Sequence, residues 1–552
     1  MTKTLRIILF CGITTALSAA ASAAEDKLSP ELRGKMADAN NAGSESAATI
    51  DVIVQYKVVP TEAHRRKIAA FGGKLHAQMD FIKSVHYTIP RSQLQTLLDD
   101  PDVAYISPNR PLKAMFDAIT DSTVHSDWAN GYGQTGAGIG IAIIDSGVVD
   151  LPDFHTGGAG RIVYQQSFIG GTPADQFGHG THVAGILAGN GNGTSYVGTV
   201  PQANIISLRV LDALGNGTDA GVIAAINSAI SLKQQYNIRV INLSLGRPVF
   251  ESSTLDPLCQ AVEAAWRAGI TVVVAAGNYG RDNLASTNGY ATITAPGNDP
   301  YVLTVGCIKS NGTTTMADDT IASYSSKGPT LFDHTVKPDL IAPGNQITST
   351  LPPGLTLSVL FPGNRVSGNY FLLSGTSMAT PVVSGAAAMA YQYNPNVTPD
   401  QVKAKLMKSA SKNFPVSSVV VDPTSGISYT SYYDIFTVGA GELNIETAAA
   451  DLSFPTGSAV SPTASYNAAT GQVTLLGVSG SNVVWGSNVV WGSNVVWGSS
   501  ELLANNVVWG SNVVWGSSSL AGFNVVWGSN VVWGSSTVDQ TEADLLAING
   551  ER

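Results

Sequence analysis

The sequence has little charge, little cysteine and only one long apolar run. Charged residues make up 13% of the 552 residues and the formal net charge is -10, so the chain lacks the basic surface that nucleic-acid binding requires. Beyond the N-terminal segment, no stretch reaches the roughly eighteen consecutive apolar residues of a membrane-spanning helix. We therefore expect no nucleic-acid partner and no membrane span, in a folded chain of about two to four domains.

Cysteine is scarce, with three in the whole chain. Cys11 lies in the N-terminal apolar run, and Cys259 and Cys307 belong to no CxxC metal or redox motif. The two later cysteines either form one disulfide, which an oxidising compartment permits, or pack separately as small apolar residues. The sequence leaves both alternatives open.

The first 24 residues have the order of a secretory signal peptide. Basic residues precede an apolar run at 7–17, and small residues follow at 18–24. This run is too short to span a bilayer. We expect a secreted protein, either extracellular or at the cell surface. Residues 25–49, rich in alanine, serine and charge, are interpreted as a tether.

Hydrophobic periodicity divides most of the remaining chain into two folded parts. Residues 50–115 predict a small α+β module. Residues 120–450 alternate apolar strands with helix-compatible stretches, which predicts an α/β fold with a parallel sheet sandwiched by helices. Ligand chemistry is then expected beyond the carboxyl ends of the strands. Strands are predicted at 139–144, 203–210, 240–244 and 271–276, and helices at 182–187, 220–234 and 258–268.

Four polar residues fall at the ends of these predicted elements. Asp145 closes a strand, Asn278 follows another, His179 opens a helix, and Ser377 precedes a helix of small residues. Serine hydrolysis needs a nucleophile, a base, a carboxylate that orients the base, and donors for the oxyanion. A helix that begins near Ser377 would also direct backbone N–H groups at the reacting carbon. These residues together supply each part.

Two histidines compete for the role of base. His179 is flanked by glycines that leave its ring accessible, whereas His182 lies one helical turn further on. We assign the base to His179, and a structural histidine is the alternative for either position. The string lacks the glutamate of the H-E-x-x-H motif, which argues against a zinc peptidase.

Three motifs are similar to the signatures of the subtilisin-like serine peptidases, the subtilases. They are Asp-Ser-Gly at 145–147, His-Gly-Thr-His at 179–182 and Gly-Thr-Ser-Met-Ala-Thr-Pro at 375–381. Their order of Asp, His and Ser also matches. The resemblance covers about residues 138–449 and implies that Asp145, His179 and Ser377 form a catalytic triad.

The resemblance also implies further parts of a substrate site. Asn278 would donate its side-chain N–H to the oxyanion beside the backbone N–H of Ser377. Residues 244–246 would pair as a strand with the substrate backbone. Walls rich in glycine and alanine predict an apolar or mid-sized residue before the cleaved bond. The candidate substrate-binding residues are Ser244, Leu245, Gly246, Ala276 and Gly277.

A calcium loop is implied by the same resemblance. Its candidate ligands are Asp153, Asn190, Asn192 and Thr194, which offer the oxygen atoms that calcium prefers. Because only one ligand is charged, a turn that binds no ion is the alternative.

Residues 50–115 resemble the inhibitory propeptide of the family, which assists folding and blocks the site until it is cut. We expect that cut near residues 113–116. A permanent accessory domain is the alternative, since the module directly precedes the peptidase domain.

The C-terminal part contains a hexapeptide repeat. Asn-Val-Val-Trp-Gly-Ser recurs over residues 482–535 and holds seven of the nine tryptophans. Leu503 and Ala521 occupy the missing tryptophan positions, eighteen residues apart. This period predicts a short triangular β-solenoid, and a low-complexity tail is the alternative. Residues 453–481 are interpreted as a linker or a weak hairpin.

These observations favour a secreted serine endopeptidase made as a self-processed precursor. It would cleave protein or peptide substrates through an acyl-enzyme and be inhibited by its own propeptide. The alternative is a surface adhesive or structural protein that self-associates or attaches to surfaces through its tryptophan repeats. A peptide ligase is disfavoured because position 377 is serine rather than cysteine.

Overall fold

The computed structural model describes residues 27–41, 49–114, 133–282, 287–313, 315–412, 414–415, 417–422, 425–467, 472–476, 508–509 and 526–527. The predicted signal peptide lies outside these residues. The chain forms two compact units, one of Met1–Arg110 with Thr254–Ala261 and one of Pro111–Ser253 with Val262–Arg552. Within the part that is described, no helix has the length and apolar character needed to cross a membrane.

The first unit is an α+β arrangement around an antiparallel sheet. Its four strands have the order β2-β3-β1-β4. Alternate residues of the strands, such as Val54 and Tyr87, pack with Ile68 and Leu94 of the helices in one buried core. The elements are α1 (Pro30–Asn41), β1 (Thr49–Tyr56), α2 (Glu62–Ala70), β2 (Lys74–Met79), β3 (Ser84–Pro90), α3 (Leu94–Leu98) and β4 (Val103–Pro108).

The tether predicted for residues 25–49 is wrong over residues 27–41. This segment contains the helix α1, and Leu28 and Leu32 are buried in the core of the first unit. Glu31 forms an ion pair of 2.8 Å with Arg110. The physical reason is that Leu32 and Met36, four residues apart, lie on one face of α1, while Leu28 precedes the helix and forms a β-bridge with Ile106.

The second unit contains the predicted α/β fold with a mainly parallel sheet. The strand order is β16-β15-β14-β12-β6-β10-β9, with β17 paired to β15. Only the short edge strand β16 is antiparallel to its neighbour. The strands of this sheet are β6 (Gly140–Asp145), β9 (Ile162–Ser167), β10 (Asn204–Arg209), β12 (Ile238–Leu243), β14 (Thr271–Ala275), β15 (Leu303–Lys309), β16 (Thr320–Ile321) and β17 (Leu340–Pro343).

Helices cover this sheet, and smaller sheets lie around it. Each of the strands β6 and β14 is buried along its whole length, as expected where helices cover both faces. The helices are α4 (His179–Ala188), α5 (Asp219–Tyr236), α6 (Pro257–Arg267), α7 (Thr356–Leu360), α8 (Thr376–Tyr393), α9 (Pro399–Ser409), α10 (Ile435–Val438) and α11 (Ile445–Ala450). The remaining strands are β5 (Pro111–Ala114), β7 (His155–Thr156), β8 (Ala159–Gly160), β11 (Asn216–Thr218), β13 (Leu245–Gly246), β18 (Ile347–Thr350), β19 (Arg365–Ser367), β20 (Tyr370–Leu373), β21 (Ser417–Val421), β22 (Ser428–Tyr432), β23 (Thr463–Asn467) and β24 (Gln472–Leu476).

The order of the strands fixes where the site must form. The strand β6 lies between β10 and β12, and after β6 the chain forms β9 and β10 on one side of it before it crosses to β12, β14 and β15 on the other. In an open parallel sheet, this reversal leaves a crevice at the carboxyl ends of the strands. Asp145 is the last residue of β6 and therefore lies at that crevice.

The segment 453–481, interpreted from the sequence as a linker or a weak hairpin, contains an antiparallel hairpin of the strands β23 and β24. Part of this segment is also packed into the second unit. Ala459 and Ala464 are buried, and the Ser461 hydroxyl donates a hydrogen bond of 2.6 Å to Asp339.

Most of the hexapeptide repeat lies outside the described residues. Two dipeptide strands, β25 (Val508–Trp509) and β26 (Val526–Trp527), pair in parallel within it. The paired residues are eighteen apart in the sequence, which is the period of the predicted coil. The solenoid itself stays a prediction.

The two mature cysteines do not form a disulfide. Cys259 and Cys307 are both buried thiols, and the Cys307 sulfur lies 3.2 Å from the Tyr324 hydroxyl. The alternative of separately packed cysteines therefore describes the structure.

Candidate active site

A carboxylate and an imidazole meet at the carboxyl end of the central strand. Asp145 ends β6 and His179 begins α4, and the Nδ1 atom of His179 lies 2.8 Å and 3.0 Å from the two carboxylate oxygens of Asp145. The backbone N–H of Ser146 donates to the same carboxylate at 2.7 Å. Because Asp145 engages Nδ1, the opposite nitrogen, Nε2, is the one available to act as a base.

The approach of α4 to β6 requires glycine at position 180. A Cβ atom on Gly180 would lie 2.2 Å from the carbonyl oxygen of Gly147 and 3.2 Å from the Cβ of Asp145. Any larger residue would therefore push the helix away from the strand. The glycine that follows His179 thus permits the short distance between His179 and Asp145.

Asp175 holds the beginning of the same helix, and the sequence analysis missed it. Its Oδ1 accepts hydrogen bonds from the backbone N–H groups of Phe177 at 2.9 Å and Gly178 at 2.8 Å. Its Oδ2 accepts from the N–H of Thr181 at 2.9 Å and from the Thr181 hydroxyl at 2.7 Å. These bonds satisfy donors that the first turn of a helix leaves open. An acidic residue just before a predicted helix was the available signal.

The surroundings of His182 are those of a structural histidine and not of a catalytic base. It is fully buried, and its Nε2 lies 3.0 Å from the carbonyl oxygen of Phe371. Burial lowers the pKa of His182 to about 3, so its imidazole stays neutral at physiological pH. This arrangement joins α4 to β20 and offers no base for catalysis.

Ser377 lies in the first turn of α8, and a network of hydrogen-bonded polar side chains fixes its position. Its hydroxyl donates a hydrogen bond of 2.9 Å to the carbonyl oxygen of Ser244, and its own carbonyl accepts one of 2.9 Å from the Ser244 hydroxyl. Asn242 donates to that hydroxyl at 3.0 Å and accepts from Ser384 at 2.8 Å. Sequence reasoning gave no role to Asn242 or Ser384, because their contacts join distant parts of the chain.

Asn278 is oriented by the residue that precedes Ser377. Its Oδ1 accepts hydrogen bonds from the backbone N–H and the hydroxyl of Thr376, both at 3.0 Å. Because the oxygen is engaged there, the amide group is fixed with its Nδ2 donor on the other side. A fixed amide donor beside the N-terminus of a helix suits a developing oxyanion.

The predicted substrate strand is paired with another segment of the second unit. The strand β5 lies between β11 and β13 in a three-stranded antiparallel sheet. Ala114 is opposite Leu245, and Lys113 is opposite Gly246. The backbone N–H of Ala114 also donates to the carbonyl of Gly215 at 3.2 Å. Residues 245 and 246 therefore bind an extended peptide on one side, as a substrate-binding strand would.

Ala276 and Gly277 use their backbone groups internally. The N–H of Ala276 donates to Val305 and its carbonyl accepts from Thr294. The φ angle of Gly277 is 110°, and a Cβ there would lie 2.7 Å from the hydroxyl of Ser326. These two residues can form a wall of the site, but their main chain does not offer a pairing edge.

The candidate calcium ligands lie in one loop, but several of their oxygens already have hydrogen-bond partners. Asp153 is buried, which raises its pKa, and its Oδ1 accepts from the Tyr370 hydroxyl at 2.6 Å. Oδ1 of Asn190 accepts from the N–H of Asn192 at 2.8 Å, and the Thr194 hydroxyl donates to a backbone carbonyl at 2.7 Å. These oxygens hold the loop through hydrogen bonds within the protein, and calcium binding by this loop stays a prediction.

The comparison with protein families concerns the central part of the second unit. The model of the "Subtilase family" matches residues 136–430, which is more than half of the chain. The chain belongs to the subtilase family. This subtilase is therefore a serine peptidase, and the resemblance drawn from the three motifs is confirmed.

Individual relatives agree with the family. This subtilase is 38% identical to the serine protease AprX of Bacillus subtilis (strain 168) over 354 residues, which are 61% of this chain and 76% of the relative. It is 35% identical to an extracellular serine proteinase of Thermus sp. (strain Rt41A) over 341 residues, 60% of this chain and 72% of the relative.

A solved structure supports the fold. Fervidolysin from Fervidobacterium pennivorans, a keratinolytic enzyme related to subtilisin, matches with a TM-score of 0.55 and 21% identity. The match covers 75% of this subtilase and 62% of the fervidolysin chain. At this identity the likeness concerns the fold alone.

Proposed function

We propose that this subtilase is an exported endopeptidase that cleaves peptide bonds through an acyl-enzyme. Asp145, His179 and Ser377 act as its triad, and Asn278 binds the oxyanion. The observation that carries this proposal is the 2.8 Å contact of Asp145 with His179 Nδ1 at the sheet edge where a family of serine peptidases has its site. Export is supported by the signal-like first 24 residues and by the name of the extracellular relative.

The proposed chemistry moves one proton through His179. The Ser377 hydroxyl turns from Ser244 to the imidazole, loses its proton to Nε2 and attacks the carbonyl carbon of the substrate. Asp145 stabilises the imidazolium, while Nδ2 of Asn278 and the N–H of Ser377 bind the oxyanion. His179 then protonates the leaving amine, and water activated by the same imidazole hydrolyses the acyl-enzyme.

The strand β5 supports self-processing of a precursor. It follows the first unit directly in the sequence and pairs with the strand predicted to hold substrate. Ser244, whose carbonyl accepts the Ser377 hydroxyl, directly precedes Leu245, the residue opposite Ala114. We therefore expect cleavage after Met115, within the range predicted from the sequence, with the first unit as the inhibitor.

The test compares the secreted wild-type protein with the Ser377→Ala variant by intact mass, N-terminal sequence and hydrolysis of azocasein. The wild type should begin at Phe116 and cut casein, whereas the variant should keep residues 25–115 and cut nothing. A wild type that is active with these residues attached would contradict the maturation step. Two uncut and inactive proteins would contradict the peptidase proposal itself.

A further inference from the structure

The first unit carries two histidines and an aspartate on one face of its sheet. Asp51 lies on β1, His86 on the adjacent β3, and His76 on β2 at the edge. One potential metal-binding atom from each lies within 4.8 Å of the other two. Side chains from three neighbouring strands therefore converge on one point, and rigid strands are a precise support for such a site.

An irregularity in strand pairing brings His76 into this cluster. Ala77 pairs with His86 and Leu75 pairs with Tyr87, so His76 is the extra residue of a β-bulge. Strict alternation would place residues 76 and 77 on opposite faces of the sheet. The bulge redirects His76, and its ring stacks on that of His86 with the centroids 4.6 Å apart.

The separations of the three ligand atoms suit a small metal ion. In a tetrahedral zinc site, bonds of about 2.0–2.2 Å place two ligand atoms about 3.4 Å apart. Oδ1 of Asp51 lies 2.8 Å from Nε2 of His86 and 3.9 Å from Nε2 of His76. The observed distances lie on either side of the zinc value. The shorter one is that of a hydrogen bond between the two side chains, and Nε2 of His76 lies 2.7 Å from the Thr88 hydroxyl, so a bound ion would replace both contacts.

Neighbouring polar side chains hold the carboxylate of the cluster in place. Asn109 and Thr88 donate to the two carboxylate oxygens at 2.9 Å and 3.1 Å, an arrangement that orients metal ligands in known sites.

We propose that Asp51, His76 and His86 bind a divalent transition-metal ion with the preferences of zinc. Two imidazoles and one carboxylate favour zinc, nickel or copper over magnesium and calcium. The ion ties three strands together and stabilises the first unit, because it binds the folded form preferentially. Slower release of the first unit during maturation would follow, and this consequence rests on the proposed function.

Calorimetric titration with zinc chloride tests the site in the full-length Ser377→Ala protein without a polyhistidine tag. We expect one ion per chain, and His76→Gln should weaken binding at least tenfold. The matched control is His155→Gln, since His155 also contacts a carboxylate, that of Asp150, at 2.8 Å. Equal affinity in all three proteins, or a loss confined to His155→Gln, would overturn the proposal.

Thermal unfolding provides the second readout. Zinc, but not magnesium, should raise the unfolding temperature of the Ser377→Ala chain, and the shift should disappear with His76→Gln. If that variant fails to fold by circular dichroism, Asp51→Asn takes its place. A zinc shift that survives both substitutions would overturn the proposal.

These measurements need no peptidase activity, so they decide the site separately from the proposed function. In the wild-type chain, zinc should slow the appearance of the mature fragment, and this dependence should disappear with His76→Gln. Zinc-independent maturation of a chain that binds zinc would refute the stabilisation. A wild type that never matures would count against the proposed function instead.

Discussion

Two carboxyl groups share a buried position near the C-terminal end of the peptidase fold. Glu442 and Asp319 are both buried. Burial is the main cause that raises the pKa of each, and the negative charge of Asp319 raises that of Glu442 further. Glu442 therefore keeps its proton in the folded protein at a pH where the unfolded chain has lost it.

Glu442 contributes stability that is lost as the pH rises. A raised pKa stabilises the fold fully below the unfolded value of about 4.3 and less and less as the pH approaches the folded value. While Glu442 holds one more proton in the folded state, its own contribution to the free energy of unfolding should fall by about 1.4 kcal/mol per pH unit. Lys412, whose pKa burial lowers to about 7, contributes a slope of the opposite sign, so the part of Glu442 is the difference between the parent and a variant. Urea unfolding of the Ser377→Ala protein at several pH values from neutral to alkaline measures the slope.

Glu442→Gln should remove this contribution, because the amide stays neutral at every pH. The exposed Glu446 offers a matched control, and Glu446→Gln should leave the slope unchanged. An identical slope in the parent and both variants would show that the pair does not control alkaline stability.

Asp175 is expected to position the catalytic histidine without touching substrate. Its carboxylate accepts four hydrogen bonds at the start of α4, and Asp175→Ala would leave these donors without an acceptor. We expect a loss of about 1–3 kcal/mol in stability and a larger fall in kcat than rise in KM, measured with a peptide substrate. Asp175→Asn should recover part of kcat, and Asp150→Ala, at an exposed carboxylate, should change neither value. Unchanged kcat in Asp175→Ala would refute this role.

At the scale of elements, the chain after α11 belongs to the peptidase fold. Ser461 donates to Asp339 at 2.6 Å and accepts from Lys403 at 2.8 Å, and these two residues are fully buried. Ser461→Ala should therefore lower the free energy of unfolding by about 1–3 kcal/mol, because it removes hydrogen bonds to buried charges. Denaturant unfolding in the Ser377→Ala background measures this loss. The control is Ser458→Ala, which should have almost no effect because Ser458 is exposed. Equal free energies of unfolding for Ser461→Ala and its parent would contradict the inclusion of this segment in the peptidase fold.

The elements that the sequence predicted best are those with a clear pattern of apolar residues, because that pattern decides which residues are buried. The strand expected at 139–144 is observed at Gly140–Asp145, and the helix expected at 220–234 is Asp219–Tyr236. Both are strongly apolar or strongly periodic. By contrast, β2 was missed because the bulge at His76 interrupts its alternation, and α1 was missed because only Leu32 and Met36 mark the face that it packs against the core.

The residues of the candidate site also fall into two groups, those that a local sequence motif marks and those that it does not. Asp145, His179, Asn278 and Ser377 could be selected from the sequence because short motifs surround them. Asp175, Asn242 and Ser384 act through hydrogen bonds whose partners are set by the folded backbone, so no local pattern assigns them a role. Likewise, the charged partners of Ser461 lie far from it in the sequence and become neighbours only through packing.

At the scale of the whole molecule, the repeat array should be separable from catalysis. Among the described residues, the core and the hydrogen bonds that support the site extend to Leu475 of β24. A chain that ends at residue 480 should therefore retain the kcat and KM of the full chain on a peptide substrate. A fall of more than about threefold in kcat/KM, equivalent to ~0.7 kcal/mol, would contradict this independence.

The same truncation tests what the array forms. Parallel pairing of Val508 with Val526 and of Trp509 with Trp527 joins residues eighteen apart, which is the separation that three hexapeptide sides per coil require. The far-UV circular dichroism of the full Ser377→Ala chain, minus that of the same chain ending at 480, should then be a β-type spectrum. Adhesion or self-association should be lost with the array, because repeated tryptophans offer an apolar surface for contact. A random-coil difference spectrum would contradict the solenoid, and association that persists without the array would place the adhesive surface elsewhere in the chain.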